Sequence, residues 1–369
     1  MMVPVGVWHD TPEDAAAEVR YIERRGWPVT QVELGEEPDG QFIRPEDYAD
    51  LYLETAKAVR AVDPELKVGG PSLQGPLTGS WPDTEEGDGW ARRFVTELKA
   101  RGGLDALQFF SFEDYVFEDV CAPLGPLLRQ ETRTLGRSMA RLAAEGVPTD
   151  IPWVISEYGF SPFSDRAMSE LPSALLAADI VGQFSSLGGS AAYMFGYPPD
   201  TPANQKFRCA GYGNMMLWEA DDDDRARWPM PMFFAERMMS EDWGAPGDAP
   251  HRLFAARATL NDSEGRPFVT AYPLLAPDGR WSVMLVNRDA DRAHAAPIAF
   301  RSGDARLAAF AGALRVVQYS PAQYAWLDRG EASRPSRDLP PTRFELAPGR
   351  TLVLPAMSLT VVSGAGPAP

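Results

Sequence analysis

The sequence predicts an α/β chain in two parts: a parallel (β/α) barrel of the TIM type, six βα units of it present, followed by an antiparallel β-sandwich. Three observations predict it. Over residues 1–245 a short apolar β-type run, a loop rich in Gly, Pro or acid, and an amphipathic helix recur in that order, and such alternation means a parallel sheet. Over residues 246–369 the texture changes to short alternating strands with turn signals and almost no helical periodicity, the signature of a sandwich. With 369 residues the chain is long for one domain, which fits a barrel with an accessory domain.

The barrel strands fall near Val3–Trp8, Val29–Leu34, Leu66–Gly70, Ala106–Ser111, Pro152–Ser156 and Ala191–Phe195. Thr11 reads as a helix N-cap, with Pro12 at the first helical position and Glu13 and Asp14 complementing the helix dipole. Pro45-Glu46-Asp47 opens a second helix, in which Tyr48, Leu51, Tyr52, Thr55, Val59 and Val62 form one core-facing stripe before Asp63-Pro64 ends it. That stripe is packing, not a cofactor site. Further helices fit Trp90–Arg101, Leu124–Glu145, Leu171–Leu187 and Met230–Glu241. In the second part Trp281–Asn287 and Thr351–Pro355 read as strands, Pro277-Asp278-Gly279 and Pro348-Gly349 as hairpin turns, and Gly364–Pro369 as a frayed tail.

The 44 % apolar and 24 % charged content is ordinary for a soluble globular protein. A formal charge of -17, from 52 acidic against 35 basic residues, argues against a nucleic-acid or anionic-membrane partner and fits a neutral substrate. No apolar run approaches the roughly 20 residues that span a bilayer. The Met1-Met2-Val3-Pro4-Val5 start lacks the basic segment and apolar core of a secretion signal, so the expectation is a soluble chain, cytoplasmic by default. Cys121 and Cys209 are too few for a disulfide framework or a cysteine zinc site. Both fall in loops after predicted strands, where they could pair; the reading favours free thiols. There is no His/Cys cluster with zinc spacing, no Gly-x-Gly-x-x-Gly before a helix and no phosphate-cradling loop, so neither metal nor cofactor is expected. Asp221–Asp224 reads as a solvated acidic loop, because no glycine-spaced calcium loop surrounds it.

Chemistry is carried by two glutamates. Glu37, in Val32-Glu33-Leu34-Gly35-Glu36-Glu37-Pro38, and Glu157, in Trp153-Val154-Ile155-Ser156-Glu157-Tyr158-Gly159, each end a short apolar run. The carboxyl ends of parallel barrel strands gather on one face, so these carboxylates can meet there. Two facing carboxyl groups are the minimal equipment for cleaving a glycosidic bond, and a retaining enzyme sets them about 5 to 5.5 Å apart. Glu37 is expected to act as acid and then base, since Glu36 and nearby acids would raise its pKa by repulsion, which leaves Glu157 as nucleophile. Tyr115, Phe195 and Tyr197 are candidates for sugar-stacking walls, because aromatic faces match the apolar faces of pyranosides. Trp8 and His9 could line the pocket, and Asn204, Gln205 and Trp218 could reach substrate hydroxyls.

Both motifs resemble those of clan A glycoside hydrolases, and most of all the β-xylosidase and α-iduronidase family and its neighbours that carry a β-sandwich after the barrel. In that clan an Asn-Glu-Pro on the fourth strand supplies the acid/base, and a glutamate ending the seventh is the nucleophile. The resemblance covers nearly the whole chain, including Val68-Gly69-Gly70-Pro71 and the closing run from Leu354 to Val362. It implies hydrolysis of an oligosaccharide or glycoside by double displacement on a (β/α)8 barrel. Three departures stand out. Glu36 replaces the Asn that, by the resemblance, hydrogen-bonds the sugar 2-hydroxyl, and an ionised carboxylate could accept but not donate. Where the clan has Ser-x-His-His-Tyr, this chain reads Ser111-Phe112-Glu113-Asp114-Tyr115, which places Glu113 at the substrate and implies an unusually anionic site. Finally, Val3–Trp8 corresponds to the third barrel strand, so the barrel is expected to be incomplete and the chain to be a fragment rather than a rearranged barrel. The alternative is a non-catalytic carbohydrate-binding or structural relic of this fold.

Overall fold

The computed structural model describes residues 1–75, 89–116, 121, 124–205, 211–247, 249–302, 305–306 and 309–367. By packing, the chain divides into two compact units, the first made of Met1–Asp114, Thr134–Tyr158 and Gly188–Tyr193, the second of Tyr115–Arg133, Gly159–Leu187 and Met194–Pro369.

The first unit is built on six strands in sequential order: β1 (Met2–Val5), β2 (Gln31–Leu34), β3 (Lys67–Leu73), β4 (Phe110–Tyr115), β5 (Trp153–Gly159) and β6 (Ala191–Met194). The strands from β1 to β4 pair in parallel, each with the next, so the expected part-barrel of six βα units is present. Several boundaries differ from the sequence reading: β1 ends at Val5 rather than Trp8, β3 runs on to Leu73 and β5 to Gly159, and the largest change is in β4. Ala106–Ser111 was the expected fourth strand, yet Leu104–Ala106 forms a 3-10 turn and the strand starts at Phe110. The Ala106 and Leu107 amides close this turn on the Gly103 and Leu104 carbonyls, and the Tyr52 hydroxyl donates to the Ala106 carbonyl at 3.1 Å.

Thr11 caps α1 (Pro12–Arg24) through a capping box with Asp14, as its position before Pro12 requires. In α2 (Pro45–Arg60) the core stripe is seen: Tyr48, Tyr52, Thr55 and Val59 are buried and Leu51 is half-buried. Val62 lies beyond the helix, because Pro64 disfavours helical geometry in the residue before it. Tyr48 and Tyr52 pack with Trp90 and Phe94 of α3 (Trp90–Ala100), with ring centroids 5.1 to 5.9 Å apart. Each such pair contributes about 0.5–1.5 kcal/mol beyond its buried area. The cluster also positions chemistry: the Tyr48 hydroxyl donates to the Leu34 carbonyl at 2.5 Å and so anchors the carboxyl end of β2. α4 (Leu124–Ala144) follows.

In the second unit six antiparallel strands lie in the order Arg252–Leu253, Val269–Leu275, Trp281–Asn287, Ser358–Ala365, Ala311–Tyr319 and Thr342–Leu346. Period-two alternation gives this sheet two apolar faces. Met284, Val286, Val317 and Val361 pack with Leu171, Ala174, Leu175 and Ala178 of helix Leu171–Ser186, whereas Val283, Leu285, Val316 and Val362 pack with Leu352 and Leu354. Leu354 lies in a short ladder, His294–Ala295 with Val353–Leu354. Within the helix, Asp179 meets Arg288 at 3.2 Å, both side chains being essentially inaccessible.

Four sequence expectations change here. The tail is ordered as far as Pro367: Gly364 pairs with Trp281, Ala365 with Ala311, and the Trp281 indole donates to the Pro367 carbonyl; the last two residues of the expected frayed tail lie outside the described residues. Pro348-Gly349 forms a turn but no hairpin, since the strands on either side of it pair elsewhere. The helix expected over Met230–Glu241 is α-helical only for Pro231–Arg237 and continues as a π turn over Met238–Trp243. Cys121 is disulfide-bonded, so it is not a free thiol; Cys209 lies outside the described residues. Among the described residues no helix is long and apolar enough to cross a membrane.

Candidate active site

β2 ends in a turn that aims two glutamates off the strand. Gly35 has φ 80°, and a Cβ there would lie 2.5 Å from Cζ3 of Trp8, so only glycine fits beneath the indole. Glu37 itself has φ 48°, a left-handed conformation uncommon for a side-chain-bearing residue and frequent at functional sites. Its amide donates to the Ser72 carbonyl at 3.0 Å, and its Oε1 accepts the Gln74 amide at 2.7 Å. Buried Asp39 holds the same neighbouring segment by accepting the Gln74 and Gly75 backbone amides at 2.9 and 3.1 Å.

The second contribution comes from β4. Alternation sends Phe110 and Phe112 to Trp153, at 5.7 and 6.4 Å between rings, and Ser111 and Glu113 to the other face. The Ser111 hydroxyl accepts the Ser72 amide at 3.0 Å. Glu113 is 1 % exposed; it hydrogen-bonds the Glu37 carboxyl group and accepts from the Ser72 hydroxyl at 3.4 Å. From β5, the Ser156 hydroxyl meets that of Ser72 at 2.7 Å. Carboxylate oxygens of Glu36, Glu113 and Glu157 all lie within 4.8 Å of one another. Glu37 and Glu157, 120 positions apart, thus converge on one shared neighbour, Glu113.

Electrostatics correct the sequence picture of a strongly anionic site. Burial, then the charges of Glu37 and Glu157, push Glu113 up to about 11, so it is neutral at ordinary pH. Burial pushes Asp114 to about 7; it lies on the opposite face of β4 from Glu113 and does not join the cluster. Glu33, inside β2, is pushed to about 7 by burial and, more weakly, by Glu157 and Glu36, while a hydrogen bond with Ser111 opposes the shift. Glu36 is raised as well, by desolvation and then by Glu37.

A carboxyl whose folded pKa exceeds its unfolded value contributes stability that is complete below the unfolded pKa and lost as pH rises through the folded one. For Glu33 that window runs from 4.5 to about 7. Glu33→Gln, which cannot ionise, is therefore expected to gain thermal stability relative to wild type as pH rises through this window. Melting curves across it check this; a pH-independent offset would contradict it.

Of the other sequence candidates, Trp8 joins the first unit over Gly35, beside exposed His9 and 6.3 Å from the Tyr48 ring. Tyr115, Phe195 and Tyr197 belong to the second unit, where the Tyr115 and Phe195 rings meet edge to face at 6.4 Å and Tyr197 is 62 % exposed. Gln205 accepts the Ser164 amide and Trp218 stacks near Phe233, so both have local packing roles; Asn204 is half-buried. Asp221 caps its own turn by accepting the amides of Asp223 and Arg225. The sequence reading missed Glu33, Ser72, Gln74, Ser111 and Ser156. A charge inside the apolar run Gln31–Leu34 was a legible signal for Glu33; the others become visible only when the strands pair.

No protein-family model matches the chain, and no curated protein matches it in sequence. Solved structures do match. The GH51 arabinofuranosidase from Xanthomonas axonopodis pv. citri superposes with a TM-score of 0.62 at 15 % identity, over 98 % of this chain and 74 % of that one. CelM2, a bifunctional glucanase-xylanase from a metagenome library, gives 0.58 at 16 %, over 95 % and 68 %. A GH39 β-xylosidase from Caulobacter crescentus gives 0.54 at 18 %, over 96 % and 72 %. The fold is that of barrel glycoside hydrolases. At these identities the likeness speaks for the architecture.

Proposed function

We propose that the protein is a retaining glycoside hydrolase acting on a neutral glycoside, with Glu37 as acid/base and Glu157 as nucleophile, the chemistry residing in residues 1–245. The observation that carries this reading is the convergence of Glu37 and Glu157 on Glu113, at the carboxyl ends of β2 and β5, where barrel enzymes keep their sites. The similar structures are named for glucan, xylan, xyloside and arabinofuranoside hydrolysis, all neutral sugars, which supports the substrate class.

Glu37 protonates the leaving oxygen while Glu157 attacks the anomeric carbon, giving a glycosyl ester; Glu37 then deprotonates the water that hydrolyses it. The Gln74 amide fixes the Glu37 carboxyl for both steps. Incubation with a panel of mechanism-based glycosyl fluorides tests the proposal. One member should leave a covalent sugar adduct on the protein, and its identity names the sugar. Hydrolysis of glycosides with inversion at the anomeric carbon would contradict it.

A further inference from the structure

We infer that Glu113 is a positioning residue that stays protonated through the reaction cycle and donates its proton as a hydrogen bond to Glu37. The inference rests on the glycosidase reading above and adds a role for a neutral acid where the resemblance has an imidazole.

Two carboxyl groups in hydrogen-bond contact need a proton between them, because an ionised carboxylate has no donor. Three observations put that proton on Glu113. First, Glu37 is half-buried and its Oε1 already accepts a 2.7 Å bond from the Gln74 amide, so that oxygen serves as an acceptor. Second, Glu113 is 1 % exposed, and the hydroxyl that reaches it, Ser72 Oγ at 3.4 Å, is also engaged with Ser156 at 2.7 Å. Third, Glu113 Oε2 is buried without a donor among the described residues, a costly place for a charge but a satisfied one for an O–H that points to a carboxylate.

The charges that act on Glu113 are of one sign. Glu36 and Glu37 come from the turn after β2, Glu157 from β5, and Ser72 from β3, and the charges acting on it are those of Glu37, Glu157 and Glu36. Burial and these neighbours push Glu113 to about 11, above Glu33 and Asp114 at about 7. No proton moves through Glu113 in this scheme. It orients one edge of Glu37 and leaves the exchange with the leaving oxygen and with water to Glu37 itself.

Infrared spectroscopy reads the proton directly. At about pH 9 the carboxyls with ordinary pKa values, and most of Glu33 and Asp114, are ionised. Wild type should then still show the C=O stretch of a protonated carboxyl group, and Glu113→Gln should lack it. A spectrum without that band, or with the band unchanged in Glu113→Gln, overturns the inference. The kinetic arm compares two substitutions of similar size. Glu113→Met, which has no donor, should lower kcat about 10- to 100-fold with KM nearly unchanged, and Glu113→Gln, whose amide donates, should recover most of that loss. Equal losses in both would overturn the role. The two readings separate cleanly: a missing band in an active enzyme sinks this inference alone, whereas a present band in a chain that turns over no glycoside sinks the glycosidase reading.

Discussion

Glu157→Gln is expected to lower kcat on an activated aryl glycoside by about 10⁴-fold or more, with little change in folding stability. The amide keeps the shape of the side chain and its place on β5 but cannot form the glycosyl ester. Glu113, the buried neighbour within 4.8 Å, is held neutral and cannot replace the lost nucleophile. Glu37→Gln should behave differently. Substrates with good leaving groups need little proton assistance, so their rates should fall modestly, while poor leaving groups should slow by about 10²- to 10⁴-fold. This leaving-group dependence distinguishes an acid/base from a residue that merely shapes the pocket. Equal activity in wild type and Glu157→Gln would remove the enzyme and favour the non-catalytic relic.

The largest expected effect on stability lies in the second unit. Arg288 and Asp179 are 0 % and 1 % exposed, and the guanidinium also donates to the Leu128 and Pro267 carbonyls at 2.9 and 2.6 Å. Burial pushes the Asp179 carboxyl up, while Arg288 and the hydroxyls of Thr270 and Tyr272 pull it down. Breaking such a pair from one side leaves an uncompensated buried group, so Arg288→Met should cost about 3–5 kcal/mol. Adding Asp179→Asn should recover part of it, because the charge that was stranded is then removed. Urea titrations of the two variants check both statements. A loss below about 1 kcal/mol for Arg288→Met would mean that the pair does not hold helix Leu171–Ser186 to the sheet.

Much of this molecule could be read from its residues, for physical reasons that differ by element. Thr11-Pro12-Glu13-Asp14 is a local code, so the start of α1 was legible to the residue. Trp281–Asn287 was legible as a strand, although all seven residues are buried, because a short, mostly apolar run containing Trp281, Val283 and Val286 follows a Pro-Asp-Gly turn signal. Ala106–Ser111 misled, because its first residue closes a 3-10 turn held by the Gly103 and Leu104 carbonyls and touched by the Tyr52 hydroxyl 54 positions away, partners that a propensity rule does not see. The same limit applies to the site. Glu37 and Glu157 stood out as acids closing apolar runs, whereas the hydroxyl chain of Ser111, Ser72 and Ser156 exists only through strand pairing. The sign of the electrostatics was also hidden: sequence counts Glu113 and Asp114 as two charges, but burial makes Glu113 neutral, and strand alternation puts Asp114 on the far face of β4.

Peptide mapping of the trapped fluorosugar adduct tests most directly whether Glu157 meets the anomeric carbon. The adduct should sit on the Glu157 carboxyl group and be absent from Glu157→Gln. An adduct on Glu36, Glu37 or Glu113, or turnover of the same sugar through a route that leaves no ester on Glu157, would contradict it.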